Sequence, residues 1–298
     1  MNCSVVIILI VCALISLLAS FQFSQKKHGD VHNGCSPDDA LRTCKVGYMA
    51  VPEGCRLVNR KPLLIPQGVK LNTYMITLSQ DQWKRNRFEQ SMHKHGQEIQ
   101  YKQWEGVIVK DKPELLNWAL KNKLGHVKNK KLKGNIGSAL AHITLWDFVA
   151  KRDDSEHFLI FEDNATVAEK SHTAFWDVHN LDYDMIYLRT LRATGEPTNI
   201  PGLLRVTYMP SWADEPNNLA PNIWLSSYLL KPRGARQLLQ YFKEYNFDLS
   251  GTIIDRAVSK AISLDATQRM KVFVVDHKEY FGHIQTKGDT RLRQNGGK

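Results

Sequence analysis

The 298-residue sequence predicts an α/β fold with a mostly parallel central sheet. The first reason is an alternating apolar pattern at 70–79, which predicts a strand, followed by helical spacing at 81–96 and a second strand at 101–109. A strand, a helix and a strand in this order typically open a parallel sheet. The second reason lies further on, where a helical pattern at 134–154 runs directly into the apolar strand Phe158–Phe161.

The remaining sequence continues this alternation of strands and helices. Strands are predicted at 183–189, 222–231 and 270–283. One amphipathic helix is predicted to begin at Pro232, a residue favoured in the first helical turn, and another to begin near Asp255. The chain is long enough for these elements to enclose one large core or two small ones.

The chain is basic, with a formal net charge of +10. This charge favours phosphates, polyanions or anionic surfaces as partners. The most basic stretch, 121–135, is interpreted as a solvated loop, and the alternative is an electrostatic guide for a phosphate-bearing ligand. No aromatic residues alternate with its lysines, which argues against nucleic acid as a partner.

The N-terminal segment is predicted to be a membrane anchor. Residues 1–25 carry no charged side chain, and 5–21 is almost wholly apolar. A cleaved signal peptide is the alternative, but cleavage after Ala19 would place Leu17 where a small residue is required. The two lysines that follow the apolar run leave the orientation of the predicted single-pass protein open.

The cysteines define a second segment. Cys35, Cys44 and Cys55 lie in a loop-rich stem at 26–69, and no cysteine follows. They predict one disulfide and one free thiol in an oxidising compartment, which fits the secretory pathway. Zinc binding is the alternative, although the spacings lack a CxxC pair. The main domain is then predicted to be 70–298.

The strand at 158–161 ends in Glu162, Asp163 and Asn164. Ligands of open α/β sheets bind beyond the carboxyl ends of the strands. Two carboxylates at such an end are suited to a divalent cation whose remaining ligands are phosphate oxygens. The alternative is an ordinary surface turn or helix cap.

Several motifs resemble those of glycosyltransferase family 25, which includes bacterial lipooligosaccharide galactosyltransferases and animal collagen galactosyltransferases. GNIGSALAHITLW and FLIFEDNA are similar to the core signature of that family, and YMITLSQDQWKRNRF is similar to its beginning, with Lys84 in place of the first arginine. Later blocks occur in the family's order, namely YDMIYL, SSYLLKPRGARQLL, IID and GDTR. The resemblance covers about 72 to 293.

The resemblance implies a GT-A-like nucleotide-sugar-binding domain that transfers galactose or glucose from a UDP-sugar, with inversion, to a glycan or glycoprotein acceptor. The implied Mn²⁺ or Mg²⁺ ligands are Glu162, Asp163 and Asn164. The implied general base is Asp255 or, as second choice, Asp289. The implied donor-binding residues are Arg85, Arg87, Gly137 and His142.

Each implied role has a structural alternative. The two arginines could be solvated, Gly137 could allow close helix–strand packing, His142 could be a hydrogen-bonded core residue, and Asp255 could cap a helix. Trp146 is predicted to be a core residue.

One departure from the family pattern affects the predicted metal site. The family has E-D-D where this chain has Asn164 in the third position, and an amide contributes a dipole instead of a charge. Asn164 also begins a glycosylation sequon with Thr166. Two further hypotheses follow: a catalytically degenerate relative that acts as a binding or adhesion protein, and a polyanion-binding protein that uses the basic loop.

Overall fold

The computed structural model describes residues 31–32, 48–51, 54–57, 60–210, 221–276 and 280–283. The chain forms two compact units, 1–60 and 61–298. In the first unit, three short strands form an antiparallel sheet in the order β1-β3-β2, with β1 at Val31–His32, β2 at Tyr48–Val51 and β3 at Gly54–Leu57.

The predicted anchor at 1–25, Cys35, Cys44 and Asp289 lie outside the described residues. Within the part of the chain that the structure describes, no helix has the length and apolarity needed to cross a membrane.

The second unit is built on an eight-stranded sheet. Its strands, in spatial order, are β11 (Glu196–Pro197), β12 (Leu203–Arg205), β14 (Val272–Val275), β10 (Met185–Arg189), β13 (Ser227–Leu230), β8 (His157–Glu162), β5 (Leu71–Thr77) and β7 (Lys102–Glu105). Two small sheets accompany it: β4 (Lys61–Pro62) pairs with β6 (Gln97–Glu98), and β9 (Ala165–Val167) pairs with β15 (Phe281–His283).

The helices of this unit are α1 (Gln82–Lys94), α2 (Pro113–Lys121), α3 (Lys133–Ala150), α4 (Pro232–Tyr245) and α5 (Ile254–Ser263), with a 3-10 turn at Ser171–Thr173. The α/β class predicted from the sequence is therefore confirmed.

The prediction of a mostly parallel sheet is wrong, because the sheet is mixed. Of its seven neighbouring strand pairs, β5–β7, β5–β8 and β10–β14 are parallel, and the other four are antiparallel. The main cause is β13, which runs antiparallel to both of its neighbours, β8 and β10. A fully buried strand shows the same apolar run in either direction, so its pattern did not reveal this.

The core lies on both faces of the sheet. Tyr74 and Ile76 of β5 pack on the face covered by α3, α4 and α5, whereas Met75 between them packs on the opposite face with Phe88 of α1. This alternation is the period of a strand covered on both sides. Trp146 of α3 is fully buried, which confirms its prediction as a core residue.

Two predicted strands are shorter than expected. The strand predicted at 222–231 begins only at Ser227, since Asn222 and Trp224 have positive φ angles of 53° and 93° that interrupt extended backbone. The predicted strand at 270–283 is two strands, β14 and β15, in different sheets.

Candidate active site

The site is centred on Glu162, the last residue of β8. Its Oε1 lies 3.0 Å from Nε2 of His142, and its Oε2 accepts a 3.2 Å hydrogen bond from Nδ2 of Asn164. Burial raises the pKa of the Glu162 carboxyl, but the hydrogen bonds from His142 and from the amide of Asn164 outweigh it and lower the pKa below its usual value. Glu162 is thus held in its ionised form and in one orientation.

A buried chain of hydrogen bonds orients His142. The indole Nε1 of Trp146 lies 3.0 Å from the hydroxyl of Tyr228, which lies 3.0 Å from Nδ1 of His142. An indole can only donate, so the hydroxyl accepts from it and has its own proton free for Nδ1. The network therefore assigns the ring proton to Nε2, which donates to Glu162.

His142 is 1% exposed and both of its ring nitrogens have protein partners. This position matches the alternative of a hydrogen-bonded core histidine, which acts on the site by orienting Glu162.

Asp163 contacts the first helix of the domain. Both of its carboxylate oxygens lie 3.2 Å from Nζ of Lys84, whose Nζ also lies 3.4 Å from Oδ2 of Asp81. Burial raises the pKa of Asp163 to about 6, although Lys84 opposes the shift. The ammonium group thus supplies a positive charge at the strand end.

Asn164 has one satisfied and one unsatisfied polar atom. Its Nδ2 bonds Glu162, but its Oδ1 is buried without a hydrogen-bond partner. A buried unsatisfied acceptor is costly, and a cation or a ligand donor would satisfy it.

The residues present fit a divalent cation. Glu162, Asp163 and the unpartnered Oδ1 of Asn164 are hard oxygen donors of the kind that Mn²⁺ and Mg²⁺ take. Within the described ranges, no group of three acidic, histidine or cysteine side chains gathers to hold a metal. The amide oxygen of Asn164 would therefore have to be one of three protein ligands.

Asp255 faces the same site from the first turn of α5. Burial, and next the negative charge of Glu162, raise the pKa of Asp255 to about 8, although hydrogen bonds from its own N–H and that of Leu225 oppose the shift. The structure therefore places two of the predicted site residues, from distant parts of the chain, within each other's electrostatic field.

Arg85 and Gly137 have structural contacts. The two terminal nitrogens of Arg85 each donate a 2.9 Å hydrogen bond to the protein's own backbone, at the carbonyls of Leu78 and Ser79. A Cβ at Gly137 would lie 2.2 Å from the carbonyl oxygen of Val107, so this position packs against backbone. Its N–H lies beyond the first turn of α3 and bonds within the helix. These contacts match the close-packing alternative for Gly137.

Three residues near Glu162 were not identified from the sequence. Arg189 ends β10, His283 ends β15, and Trp224 lies in the segment before β13. The rings of Trp224 and His283 stack with their centroids 4.3 Å apart, and the guanidinium of Arg189 lies 5.4 Å from the Trp224 ring centroid. Arg189 had a detectable signal, because a charged residue ends an apolar strand there as Glu162 does in β8.

The glycosylation sequon is part of a strand pair. Thr166 pairs with Gly282 in the β9–β15 ladder, and a Cβ at Gly282 would lie 2.3 Å from the Thr166 hydroxyl oxygen. The side chain of Asn164, which carries the sequon amide, bonds Glu162. In the folded domain the sequon is therefore not an exposed loop.

The basic stretch at 121–135, predicted as a loop, connects α2 to α3, but its last three residues, 133–135, already belong to α3. His126 pairs through backbone hydrogen bonds of 2.9 and 2.8 Å with Phe247 and Leu249, while Lys130 and Lys131 are exposed.

Comparison with known proteins gives one family match. A model of glycosyltransferase family 25, described as an LPS biosynthesis protein, matches residues 70–256. The match spans more than half of the chain and includes both Glu162 and Asp255. No curated protein matches the chain significantly.

Solved structures also match. One is a glycosyltransferase involved in the glycosylation of the major capsid of PBCV-1, with 11% identity, coverage of 76% of this chain and 100% of that chain, and a TM-score of 0.40. Another is the apo form of mouse xyloside xylosyltransferase 1, with 9% identity, coverage of 70% of this chain and 85% of that chain, and a TM-score of 0.39.

Proposed function

Because this chain belongs to glycosyltransferase family 25, we propose that it transfers a hexose, galactose or glucose, from a UDP-sugar to a hydroxyl group of a glycan or glycoprotein. The observation that carries the proposal is the pair of half-buried carboxylates, Glu162 and Asp255, that share one site inside the matched region. The proposal includes a GT-A-like nucleotide-sugar-binding domain and inversion at the transferred carbon.

Asp255 is the proposed general base. An inverting transfer needs a group that takes the proton from the acceptor hydroxyl as that oxygen attacks the sugar. A carboxylate with an ordinary pKa is a weak base for this step. Burial and the charge of Glu162 raise the pKa of Asp255 to about 8, which makes it a stronger base near neutral pH.

The strand end is the proposed site for the leaving diphosphate. Glu162, Asp163 and Asn164 would hold Mn²⁺ or Mg²⁺, which when bound neutralises negative charge on the leaving group. His142 and Tyr228 keep Glu162 in one orientation, and Lys84 adds a fixed positive charge beside Asp163. A preorganised arrangement of this kind costs little reorganisation when charge develops.

The proposal extends to the location of the enzyme. The apolar segment at 5–21 and the cysteines of the stem support a single-pass membrane protein of the secretory pathway. Glycan and glycoprotein acceptors fit that compartment.

A degenerate relative that binds a glycan without transfer is the second candidate. It is favoured by Asn164, which replaces a charged ligand with an amide, and by Lys84, whose ammonium group already contacts both oxygens of Asp163.

Nucleotide release separates the two functions. The full chain in detergent is incubated with a panel of nucleotide sugars, each with Mn²⁺ and each with chelator, and free UDP is measured. We expect release from one UDP-hexose, at least 100-fold slower in Asp255→Asn and unchanged in the control Asp147→Asn, which removes a partly exposed carboxylate paired with Lys151. Binding of UDP without release from any donor would favour the degenerate relative.

A further inference from the structure

Arg189 is a half-buried cation that has no acidic partner among the described residues. Its Nε is inaccessible to solvent and makes no hydrogen bond, and its guanidinium lies against the Trp224 ring. Burial lowers the pKa of Arg189, although a guanidinium stays charged at any physiological pH. A guanidinium that is half-buried without a counter-ion loses hydration, and an anionic ligand would supply the missing partner.

Arg87 and His283 have unsatisfied nitrogens in the same region. Nε of Arg87 and Nδ1 of His283 are buried and lack hydrogen-bond partners. Burial lowers the pKa of His283, Glu162 opposes this shift, and the charges of Arg189 and Arg87 add to it. Both guanidiniums therefore act on His283 electrostatically, and His283 also lies within the field of Glu162.

Trp224 contacts both Arg189 and His283, and its own backbone is strained. Its φ of 93° is rare for a residue with a bulky side chain. The ring stacks on His283 at an interplanar angle of 15° and also contacts Arg189. Strained residues persist where the surrounding structure fixes them, and they concentrate at ligand sites.

The cluster formed by Arg87, Arg189 and His283 has the donors that suit a phosphate group. Two guanidiniums carry planar forks that suit phosphate oxygens, and an imidazole nitrogen can add a third donor. Glu162, the carboxylate that acts electrostatically on His283, is already bonded to His142 and Asn164. The positive charge of the cluster is therefore available to an external anion.

We propose that Arg87, Arg189 and His283 bind the diphosphate of the donor nucleotide, so that nucleotide binding persists without a divalent cation. This inference rests on the proposed function, since it assigns the phosphate-binding residues of that site. It assigns phosphate binding to Arg189 and His283 in place of Arg85, whose guanidinium bonds the backbone carbonyls of Leu78 and Ser79.

The test is direct binding measured by calorimetry on the full chain in detergent, with EDTA present. UDP and uridine are compared in the unchanged protein, in Arg189→Gln, in Arg189→Lys and in the control Arg152→Gln. Arg152 is exposed and its guanidinium lies 4.1 Å from the Phe148 ring centroid, so the control removes a ring-stacked arginine elsewhere.

We expect the unchanged protein to bind UDP in EDTA. Arg189→Gln should weaken UDP binding at least tenfold, Arg189→Lys should weaken it less because it keeps the charge without the fork, and uridine binding should not change. Arg152→Gln should bind UDP like the unchanged protein.

Two results would overturn the inference while leaving the proposed function intact, provided that sugar transfer is observed. One is equal UDP affinity in Arg189→Gln, with its folding verified by circular dichroism. The other is UDP binding that vanishes in EDTA. Absence of both UDP binding and transfer, with any cation, would overturn the inference and the proposed function together.

Discussion

The side-chain amide of Asn164 donates a 3.2 Å hydrogen bond to Oε2 of Glu162. An aspartate at this position would place a second negative charge beside Glu162, where the amide N–H now donates a hydrogen bond. Asn164 therefore stabilises the ionised Glu162 in a way that the E-D-D pattern cannot without a cation.

Replacing Asn164 with Asp should make folding more dependent on a divalent cation. In EDTA the melting temperature should fall by several degrees, because two carboxylates then repel each other. Addition of Mn²⁺ should raise the melting temperature more than in the unchanged protein. Thermal unfolding followed by circular dichroism measures both effects.

Asn72→Asp is the matched control for this change. In the unchanged protein, Nδ2 of Asn72 donates a 2.8 Å hydrogen bond to Glu156, away from the site. We expect destabilisation without a larger Mn²⁺ effect. An Asn164→Asp variant that responds to Mn²⁺ no more than Asn72→Asp does would exclude Asn164 from the cation site.

Tyr228→Phe should disturb the site from within the core. It leaves Trp146 and His142 each without a buried partner, which should lower the free energy of unfolding by about 1–3 kcal/mol. Because His142 then loses the bond that fixes its tautomer, donor turnover should also fall. Urea unfolding and UDP release are the two measurements.

Tyr241→Phe provides the comparison, since its hydroxyl bonds Asp265 at 2.6 Å in a different part of the core. We expect a loss of stability with turnover unchanged. Equal turnover in the two variants would show that the chain from Trp146 to Glu162 does not act on the site.

Asp255 should make the protein less stable as pH rises. Its pKa is raised from 3.8 to about 8, so the folded state binds more protons than the unfolded state between these values. Stability therefore falls with increasing pH across this window. Asp163, with a pKa of about 6, contributes in the lower part of the window.

The Asp255→Asn variant should lose most of this pH dependence. Its melting temperature should exceed that of the unchanged protein at pH 9, and the difference should be smaller at pH 5, while sugar transfer is lost. Melting curves at the two pH values, in EDTA, make the comparison. A variant that is less stable than the unchanged protein at pH 9 would contradict a raised pKa at Asp255.

Gly137→Ala should destabilise the domain by about 1–3 kcal/mol, because the added Cβ meets the Val107 carbonyl, and backbone must move to relieve the contact. Ser138→Ala, on the exposed side of the same helix, should change stability by less than about 0.5 kcal/mol. Urea unfolding measures the change in the free energy of unfolding of each variant. Equal stability would show that α3 can shift freely.

The sequence predicted the elements and the acidic strand end because both are local patterns. It failed on the direction of β13, which depends on how the chain returns to the sheet between β10 and β13 and not on the residues of the strand. The bonds of Arg85 to the carbonyls of Leu78 and Ser79 form only in the folded turn and have no local sequence signal, and its role in donor binding stays a prediction.

The meeting of Asp255 with Glu162, and of Arg189 with His283, depends on contacts between distant segments. Glu162 and Asp255 could be assigned to one site from the sequence, because the family resemblance gave a role to each. The second pair had no such guide, because His283 belongs to a short strand that was predicted as part of a longer one.

The pairing of β9 with β15 determines how long the sequon at Asn164 stays accessible to a glycosylating enzyme. Thr166 finds its partner only when Gly282 has been synthesised, more than a hundred residues later. Before then the nascent chain presents the sequon without its strand partner. In a compartment that attaches N-linked glycans, modification of Asn164 would therefore compete in time with folding, and a chain that folds first would keep its amide for Glu162.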